Sequence, residues 1–357
     1  MQVQKNKEHF YWLDLIRFLA AFCVVTVHTR GEVLETYSLL EENSQNLFTQ
    51  LFYFVNSWGG IGVLVFFVLS GFLVGGRTAE RILKGTADFY QYAIDRSVRI
   101  GLPLVGSLIL IIIVNSFLGM PINWLKIIGN LFSLQGIFCG DVGGVFWTLS
   151  YEVWFYVLFA SLILLLRGKY NYLSVIGLIL FTMSLCAFVI LDTYLLFVLL
   201  CGVMGYFLAK SDWKISKKGL FFWAFMFFAL SSVTLISGPS RAHSYILSRY
   251  INTDIMKILI GLVSMLFISG IIRIKPSGVF GTIEKYGTVL AKFSYSLYLT
   301  HWQVLKIINH FFGRSTNIDG IAIGKFVLSV FSCIIFAYLF YLLTERNTTF
   351  VKNLLKR

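Results

Sequence analysis

Ten apolar runs, each long enough to cross a lipid bilayer as a helix, decide what this chain can become. They lie at about 12–30, 52–75, 98–118, 146–166, 171–191, 194–209, 219–237, 255–272, 288–311 and 321–343. Roughly 20 residues at about 1.5 Å each span the ~30 Å hydrocarbon core. In that medium every backbone N–H and C=O must be bonded within the protein, so runs of this length become helices. The expectation is an all-α fold, a polytopic membrane helical bundle of about ten transmembrane helices. With 57% hydrophobic and 13% charged residues and a mean hydropathy of +0.78, an ordinary soluble domain is excluded. Four prolines in 357 residues and no long polar stretch leave no linker. Residues 1–357 are therefore expected to form a single membrane domain with no separate soluble domain.

The net charge of +13 raises the question of a nucleic-acid partner. In a membrane chain an excess of Lys and Arg on cytoplasmic loops accounts for it, and no nucleic acid is expected. With the N-terminus inside, the loops carrying Arg77, Arg81, Lys84, Arg96 and Arg99, then Arg167 and Lys169, fall on the cytoplasmic side. So do Lys210, Lys214, Lys217 and Lys218, then Arg273, Lys275 and Lys285, and the tail with Arg346, Lys352, Lys356 and Arg357. The opposite loops hold Glu32, Glu35, Glu41 and Glu42 with scattered cations, Lys126, Arg241, Arg249 and Arg314. Both termini are expected in the cytoplasm. Residues 119–145, broken by Gly119, Pro121 and Gly144, are expected to form a short interfacial or re-entrant segment on the outer side. Cys23, Cys186, Cys201 and Cys333 fall in apolar segments without CxxC spacing, so they read as packing residues, and no metal is expected.

The first run, WLDLIRFLAAFCVVTVHTR at 12–30, is apolar enough to enter a bilayer yet carries Asp14, Arg17 and His28. Ionisable groups inside a membrane helix are costly and point to function. At about 100° per residue Arg17 and His28 lie within roughly 20° of each other, separated by about 16 Å of helix axis. Asp14, one turn before Arg17, falls on the same stripe. A helix with such a polar line faces a cavity. The Arg and His within the run, and the lack of an A-x-A-like site, argue against a cleaved leader, so this run is expected to remain as the first span.

Other stretches carry comparable signals. In FWTLSYEVWFYVLF at 146–159, Thr148, Glu152 and Tyr156 recur every four residues and share a face. A structural Glu, protonated and hydrogen-bonded in the bundle, fits the same pattern. FSYSLYLTHWQ at 293–303 sets Ser294, Tyr298 and His301 on another common face, where a packed histidine fits equally well. His9, His243 and His310 sit in tails or at span ends and take no role. In GVLVFFVLSGFLVGGR at 62–77, Ser70, Gly71, Gly75 and Gly76 let a backbone or a ligand approach closely. DRSVRIGLPL at 95–104 places Arg96 and Arg99 at the mouth of the third span, ahead of Gly101 and Pro103. Guanidinium groups suit phosphate through paired hydrogen bonds, and the same arginines also serve as plain topology anchors. The polar residues thus separate into two expected layers. His28, Glu152 and His301 form an outer layer suited to proton chemistry; Arg17, Arg77, Arg96 and Arg99 form an inner layer suited to an anion.

LDLIRFLAAFCVVTVH, FFVLSGFLVGGR, RSVRIGLP, FWTLSYEVWFYVLF and FSYSLYLTHW, in that order across residues 13–302, resemble the acyltransferase 3 family of integral membrane acyltransferases. Arg17 and His28 match its Arg-x10-His motif. The resemblance implies a glycan O-acetyltransferase that takes an acyl group, usually acetyl, from cytoplasmic acetyl-CoA. The acceptor is a hydroxyl of an extracytoplasmic or lipid-linked glycan such as O-antigen, capsule or exopolysaccharide, at a bacterial cytoplasmic membrane. Some larger members add a periplasmic esterase-like domain, which is not expected here. His28 and Glu152 would be catalytic, with His28 as general base or acyl relay and Glu152 orienting the imidazole or the acceptor. Arg17, Ser70, Arg77, Arg96 and Arg99 would hold acyl-CoA, and Trp147, Tyr156, Tyr298 and His301 would meet the acceptor substrate. The partners implied are acyl-CoA, the glycan and the lipid bilayer. A proton-coupled transporter or flippase for a glycolipid or polysaccharide intermediate would use the same polar line as a permeation path, although paired Gly/Pro-broken spans are not evident. A polysaccharide polymerase would need no coenzyme A site.

Overall fold

The computed structural model describes residues 10–167, 171–237, 252–274 and 281–356. Among these there is no strand, and the helices in chain order are α1 (Tyr11–Val33), α2 (Leu47–Val55), α3 (Gly59–Ser70), α4 (Arg77–Leu83), α5 (Phe89–Phe117), α6 (Trp124–Leu131), α7 (Trp147–Arg167), α8 (Asn171–Ile190), α9 (Thr193–Lys210), α10 (Lys217–Ser237), α11 (Thr253–Ile271), α12 (Gly281–Ala291), α13 (Ser294–Phe312), α14 (Gly320–Leu343) and α15 (Thr348–Leu355). Among the described residues nine helical stretches are long and apolar enough to cross a membrane. The expected ninth run differs in two ways. It breaks at Lys292–Phe293 into α12 and α13, and α13 is too polar to count with the nine. Its 19 residues nonetheless reach about 28 Å. The chain near its start bonds Glu345, and Ser315 just past its end donates to the Val33 carbonyl, so it runs the length of the bundle beside α1. Its polar side chains face protein, where Ser294, Ser296, Thr300, His301 and Gln303 are all buried.

The charged groups gather at the two ends. At one end Asp95 pairs with Lys352 and Lys356, and Glu80 with Lys84 and Lys210. At the other, Glu32 accepts from Asn309 at 2.5 Å and meets Arg314 at 3.4 Å, while Glu41 accepts from Thr316. The expected separation of basic and acidic loops is visible in this arrangement. Lys169, Arg241, Arg249, Lys275, His9 and His243 lie outside the described residues.

α1 sits centrally, flanked by α3, α12, α13 and α14; α9 packs on α3 and α11, α7 on α8, and α10 on the periphery against α11. The second run is not one straight helix. Asn46 caps α2 by accepting from the Thr49 amide, a turn separates α2 from α3, and a π-helical turn, Gly71–Gly76, joins α3 to α4. The turn forms where α3 crosses α9 with no side chains between the backbones. A Cβ on Gly71 would stand 1.9 Å from the Leu199 carbonyl oxygen, and one on Gly202 2.1 Å from that of Val68. π-turns of this kind recur at functional sites. α5 starts earlier than its apolar run because Asp88 caps it, accepting from the Gln91 amide at 2.7 Å. Arg96 and Arg99 are therefore inside a helix and project at fixed angles. The stretch expected to be interfacial or re-entrant forms the short helix α6, where Trp124, Leu125, Ile128 and Leu131 are exposed, while Asn130 is buried and bonded to the Lys126 and Gly140 carbonyls.

Gly71→Ala should lower stability by about 1–3 kcal/mol through overpacking at this crossing. Gly60, in α3 with open space within 4 Å of where a methyl would stand, should accept Ala with no loss or a gain of up to about 1 kcal/mol. Thermal unfolding in detergent compares the two; equal melting of Gly71→Ala and the parent would contradict a backbone-to-backbone contact.

Candidate active site

A cavity of about 380 Å³ opens between α1, α3, α5, α7 and α13. Asp14 and Arg17 reach it from α1, Ser70 from the end of α3, Arg77 from the start of α4, and Arg96 and Arg99 from α5. Thr148, Glu152 and Tyr156 line it from α7, and Ser294, Tyr295 and Tyr298 from α13. The four-residue spacing on α7 and the three-residue spacing on α5 each put a set of side chains on one helix face, as the sequence suggests. Pro103 lacks an N–H and so leaves the carbonyl of Arg99 without its helical donor, marking α5 at the level of the cavity. All five residues expected to hold acyl-CoA meet here.

The cavity is strongly cationic. Arg17 lies 3.7 Å from Asp14, and the Arg96 guanidinium sits 5.6 Å from the centroid of the Tyr156 ring. Arg77 and Arg99 are exposed at the mouth, whereas Arg17 and Arg96 are half-buried farther in. Among the described residues Arg77, Arg96 and Arg99 form no ion pair with a carboxylate, and Arg96 Nε is buried without a hydrogen-bond partner. Like charges converging on a partly dry cavity repel one another, so the arrangement favours an anion there. Glu152 accepts from the Tyr156 hydroxyl and, at 3.3 Å, from Ser70. It therefore belongs with the arginines. The expected outer layer of His28, Glu152 and His301 is corrected on this point: one turn along α7 toward Arg96 carries the carboxylate away from the imidazoles.

At the other end of the cavity Tyr298 and Thr148 close the space. Their hydroxyls are 2.8 Å apart, and Tyr298 donates to the Val145 carbonyl at 2.8 Å. One layer beyond, the His301 ring lies 6.1 Å from that of Tyr298. His28 Nδ1 is 2.8 Å from His301 Nε2, and His301 Nδ1 is 3.0 Å from the Leu297 carbonyl oxygen. The two rings are parallel to within 6°. Trp302 stands perpendicular to His28 with centroids 5.0 Å apart. His28 is part-exposed and His301 is fully buried, and neither lines the arginine cavity.

The outer loop shapes this end. Asp141 accepts from the amides of Gly143 and Gly144 through one oxygen and of Trp147 through the other, tying the loop to the start of α7. Burial raises the Asp141 carboxyl above its usual range, while these amides pull it back. Gly144 has φ +77°, and a Cβ there would lie 2.5 Å from the Trp302 ring, so the loop backbone backs directly onto the indole beside His28. A second, more open cleft of about 450 Å³ lies nearby, lined by Asn115, Asn123, Lys126 and Asp141 together with Ile111 and Pro121.

Of the residues expected to meet the acceptor, Tyr156 and Tyr298 line the arginine cavity, His301 is sealed behind His28, and Trp147 is exposed at the start of α7, edge-on to Tyr151. Sequence reasoning passes over Tyr295, whose buried hydroxyl faces the cavity without a hydrogen-bond partner, and Glu345. Glu345 accepts from the Ser296 amide and hydroxyl and interacts electrostatically with Arg99 and Arg17. Its signal in the sequence is an acid at the end of the last apolar run, masked by the neighbouring basic tail.

The helical bundle defines a multi-pass membrane protein with an internal arginine-lined cavity. A family model described as an acyltransferase domain matches residues 10–342. The chain belongs to this acyltransferase 3 family and is a membrane acyltransferase. Searches of curated proteins and of solved structures found no match. Membership decides against the transporter and polymerase readings that the sequence left open.

Glu345→Ala should cost about 1–3 kcal/mol, because Ser296 loses the acceptor of two hydrogen bonds and the arginines lose a neighbouring anion. A melting temperature in detergent indistinguishable from the parent would show that Glu345 is not part of the cavity's support.

Proposed function

We propose that this protein moves an acetyl or other acyl group from cytoplasmic acyl-CoA to a hydroxyl of an extracytoplasmic glycan. The observation that carries the reading is a set of cavity-lining arginines that, among the described residues, form no ion pair with a carboxylate, Arg77, Arg96 and Arg99, with the buried His301 packed behind the cavity-lining Tyr298 and bonded in turn to the part-exposed His28. Forked guanidinium groups bind phosphate through paired hydrogen bonds, and coenzyme A carries phosphates at one end and the thioester at the other. The basic loops at the arginine end support a cytoplasmic placement of that end. The phosphates rest among Arg17, Arg77, Arg96 and Arg99, and the acyl arm runs along Ser70 and Phe66 toward Tyr298, which must swing aside for the thioester to reach His28. The glycan approaches from the opposite end, past Trp147 and the Asp141 loop, in the outer layer of a bacterial cytoplasmic membrane.

In the transfer step His28 takes the proton of the acceptor hydroxyl as that oxygen bonds to the thioester carbonyl carbon. The carbon–sulfur bond then breaks and the departing thiolate receives the proton from the imidazolium, leaving an ester and free coenzyme A. Glu152 holds Tyr156 and Ser70 along the acyl path and balances the arginine charge.

Arg96→Ala and Arg99→Ala should each weaken acetyl-CoA binding about 10- to 100-fold, since a charge-assisted hydrogen bond is worth about 1.5–3 kcal/mol. Lys should restore binding in part. Calorimetry on purified protein reads this out, and parental affinity in both Ala variants would reduce these arginines to topology anchors. His28→Gln keeps the bulk and hydrogen-bonding capacity but cannot take a proton at pH 7. It should bind acetyl-CoA normally and lose about 10²- to 10⁴-fold in acyl transfer per folded molecule. A near-parental normalised rate would remove His28 from the mechanism.

A further inference from the structure

The hydrogen bonds around the two imidazoles determine where their protons sit. The acceptor of His301 Nδ1 is the carbonyl oxygen of Leu297, one turn earlier on α13, at 3.0 Å. A carbonyl cannot donate, so His301 Nδ1 carries the hydrogen. A neutral imidazole has one N–H, so His301 Nε2 presents a lone pair. The atom 2.8 Å from that lone pair is His28 Nδ1, which must therefore be the donor. His28 then has its own lone pair on Nε2. Ring geometry supports a strong bond. Face-stacked rings stand about 3.5 Å apart, whereas these parallel rings have centroids 5.1 Å apart and nitrogens 2.8 Å apart, so they lie edge to edge in one plane, as an in-plane N–H···N bond requires.

A general base is ordinarily oriented by a third group, often a carboxylate. Glu152, the residue expected to do this, bonds Tyr156 and Ser70 instead. His301 is fully buried, its backbone carbonyl faces the Cys333 thiol at 3.8 Å, and the Tyr298 ring covers its other side, so it has no open surface for substrate. Nor is it a proton relay, because its far nitrogen ends on a carbonyl that cannot hold a proton. What remains is to set the state of its neighbour.

We infer that His301 is the positioning residue of the reaction, holding His28 in the tautomer whose Nε2 lone pair faces the acceptor hydroxyl. The inference rests on the reading of His28 as the base. During transfer the hydroxyl proton moves to His28 Nε2 and later to the leaving thiolate, while Nδ1–H stays bonded to His301 Nε2 throughout. The bond becomes charge-assisted once His28 is imidazolium, which favours the transition state over the ground state. A wrong tautomer would present Nε2–H to the hydroxyl and could not accept its proton.

The test uses full-length protein in detergent, labelled with ¹⁵N-histidine. There are five histidines, so the His28 signals are assigned by their loss in His28→Gln. The parent should show His28 protonated at Nδ1 and bare at Nε2. His301→Leu, with similar bulk and no acceptor, should release that preference and lower kcat about 10²-fold or more with acetyl-CoA affinity unchanged. His301→Gln, whose amide oxygen can accept from His28 Nδ1, should keep the Nδ1–H tautomer and recover most of the rate. Parental His28 protonated at Nε2 would overturn the inference whether or not the variants fold. So would a parental kcat in His301→Leu, or equal losses in Leu and Gln variants with the tautomer unmoved. If instead His28→Gln is fully active, the base assignment itself fails, an outcome distinct from these.

Discussion

Guanidinium groups that converge on one cavity repel one another and lose hydration, a cost of several kcal/mol unless opposite charge accompanies them, and this bundle gathers four, Arg17, Arg77, Arg96 and Arg99. Much of the surrounding architecture serves to hold them. Asp14 sits beside Arg17, the Tyr156 ring lies under Arg96, and Glu345 reaches in from beyond α14, itself fastened by Ser296. Even so the cations outnumber the carboxylates. A surplus of positive charge around a cavity at one end of a membrane bundle is a standing preference for an anionic ligand.

The second requirement is a fixed distance between that cavity and the imidazole pair. Rigid, parallel helices supply it. α1 bears both Arg17 and His28, and α13, running beside it, bears both Tyr298 and His301. The close glycine crossing of α3 and α9 brings Ser70 and Arg77 to the same wall. Between the two chemical layers stands a seam of Tyr298, Thr148 and the Val145 carbonyl, with His301 packed behind it. In the proposed reaction this seam separates a charged, coenzyme-binding compartment from an outward-facing one, and its opening couples donor binding to transfer.

Much of this is legible in the sequence because lipid is an unforgiving solvent. Run lengths set the passes, and helical spacing puts Arg17 with His28 and Glu152 with Tyr156 on common faces. What spacing cannot give is rotation of one helix against another. The sequence pattern groups Glu152 with the imidazoles, yet α7 turns it toward Arg96, and the imidazole's partner comes from α13 instead. His301 reads equally well as packing, ligand or acid–base residue until the Leu297 carbonyl fixes its proton. Glu345 and the π-turn depend on contacts between segments far apart in the chain, which a single sequence does not encode locally.

In the proposed reaction one ligand spans both layers, with phosphates among the arginines and its acyl end toward His28. A cryo-EM structure of the protein with a non-hydrolysable acetyl-CoA analogue tests it most directly. Phosphate density should lie within hydrogen-bonding reach of Arg96 and Arg99, with the acetyl group beyond a displaced Tyr298, beside His28. Ordered analogue density bound elsewhere, or an acetyl group left among the arginines with Tyr298 and Thr148 still closed, would contradict it.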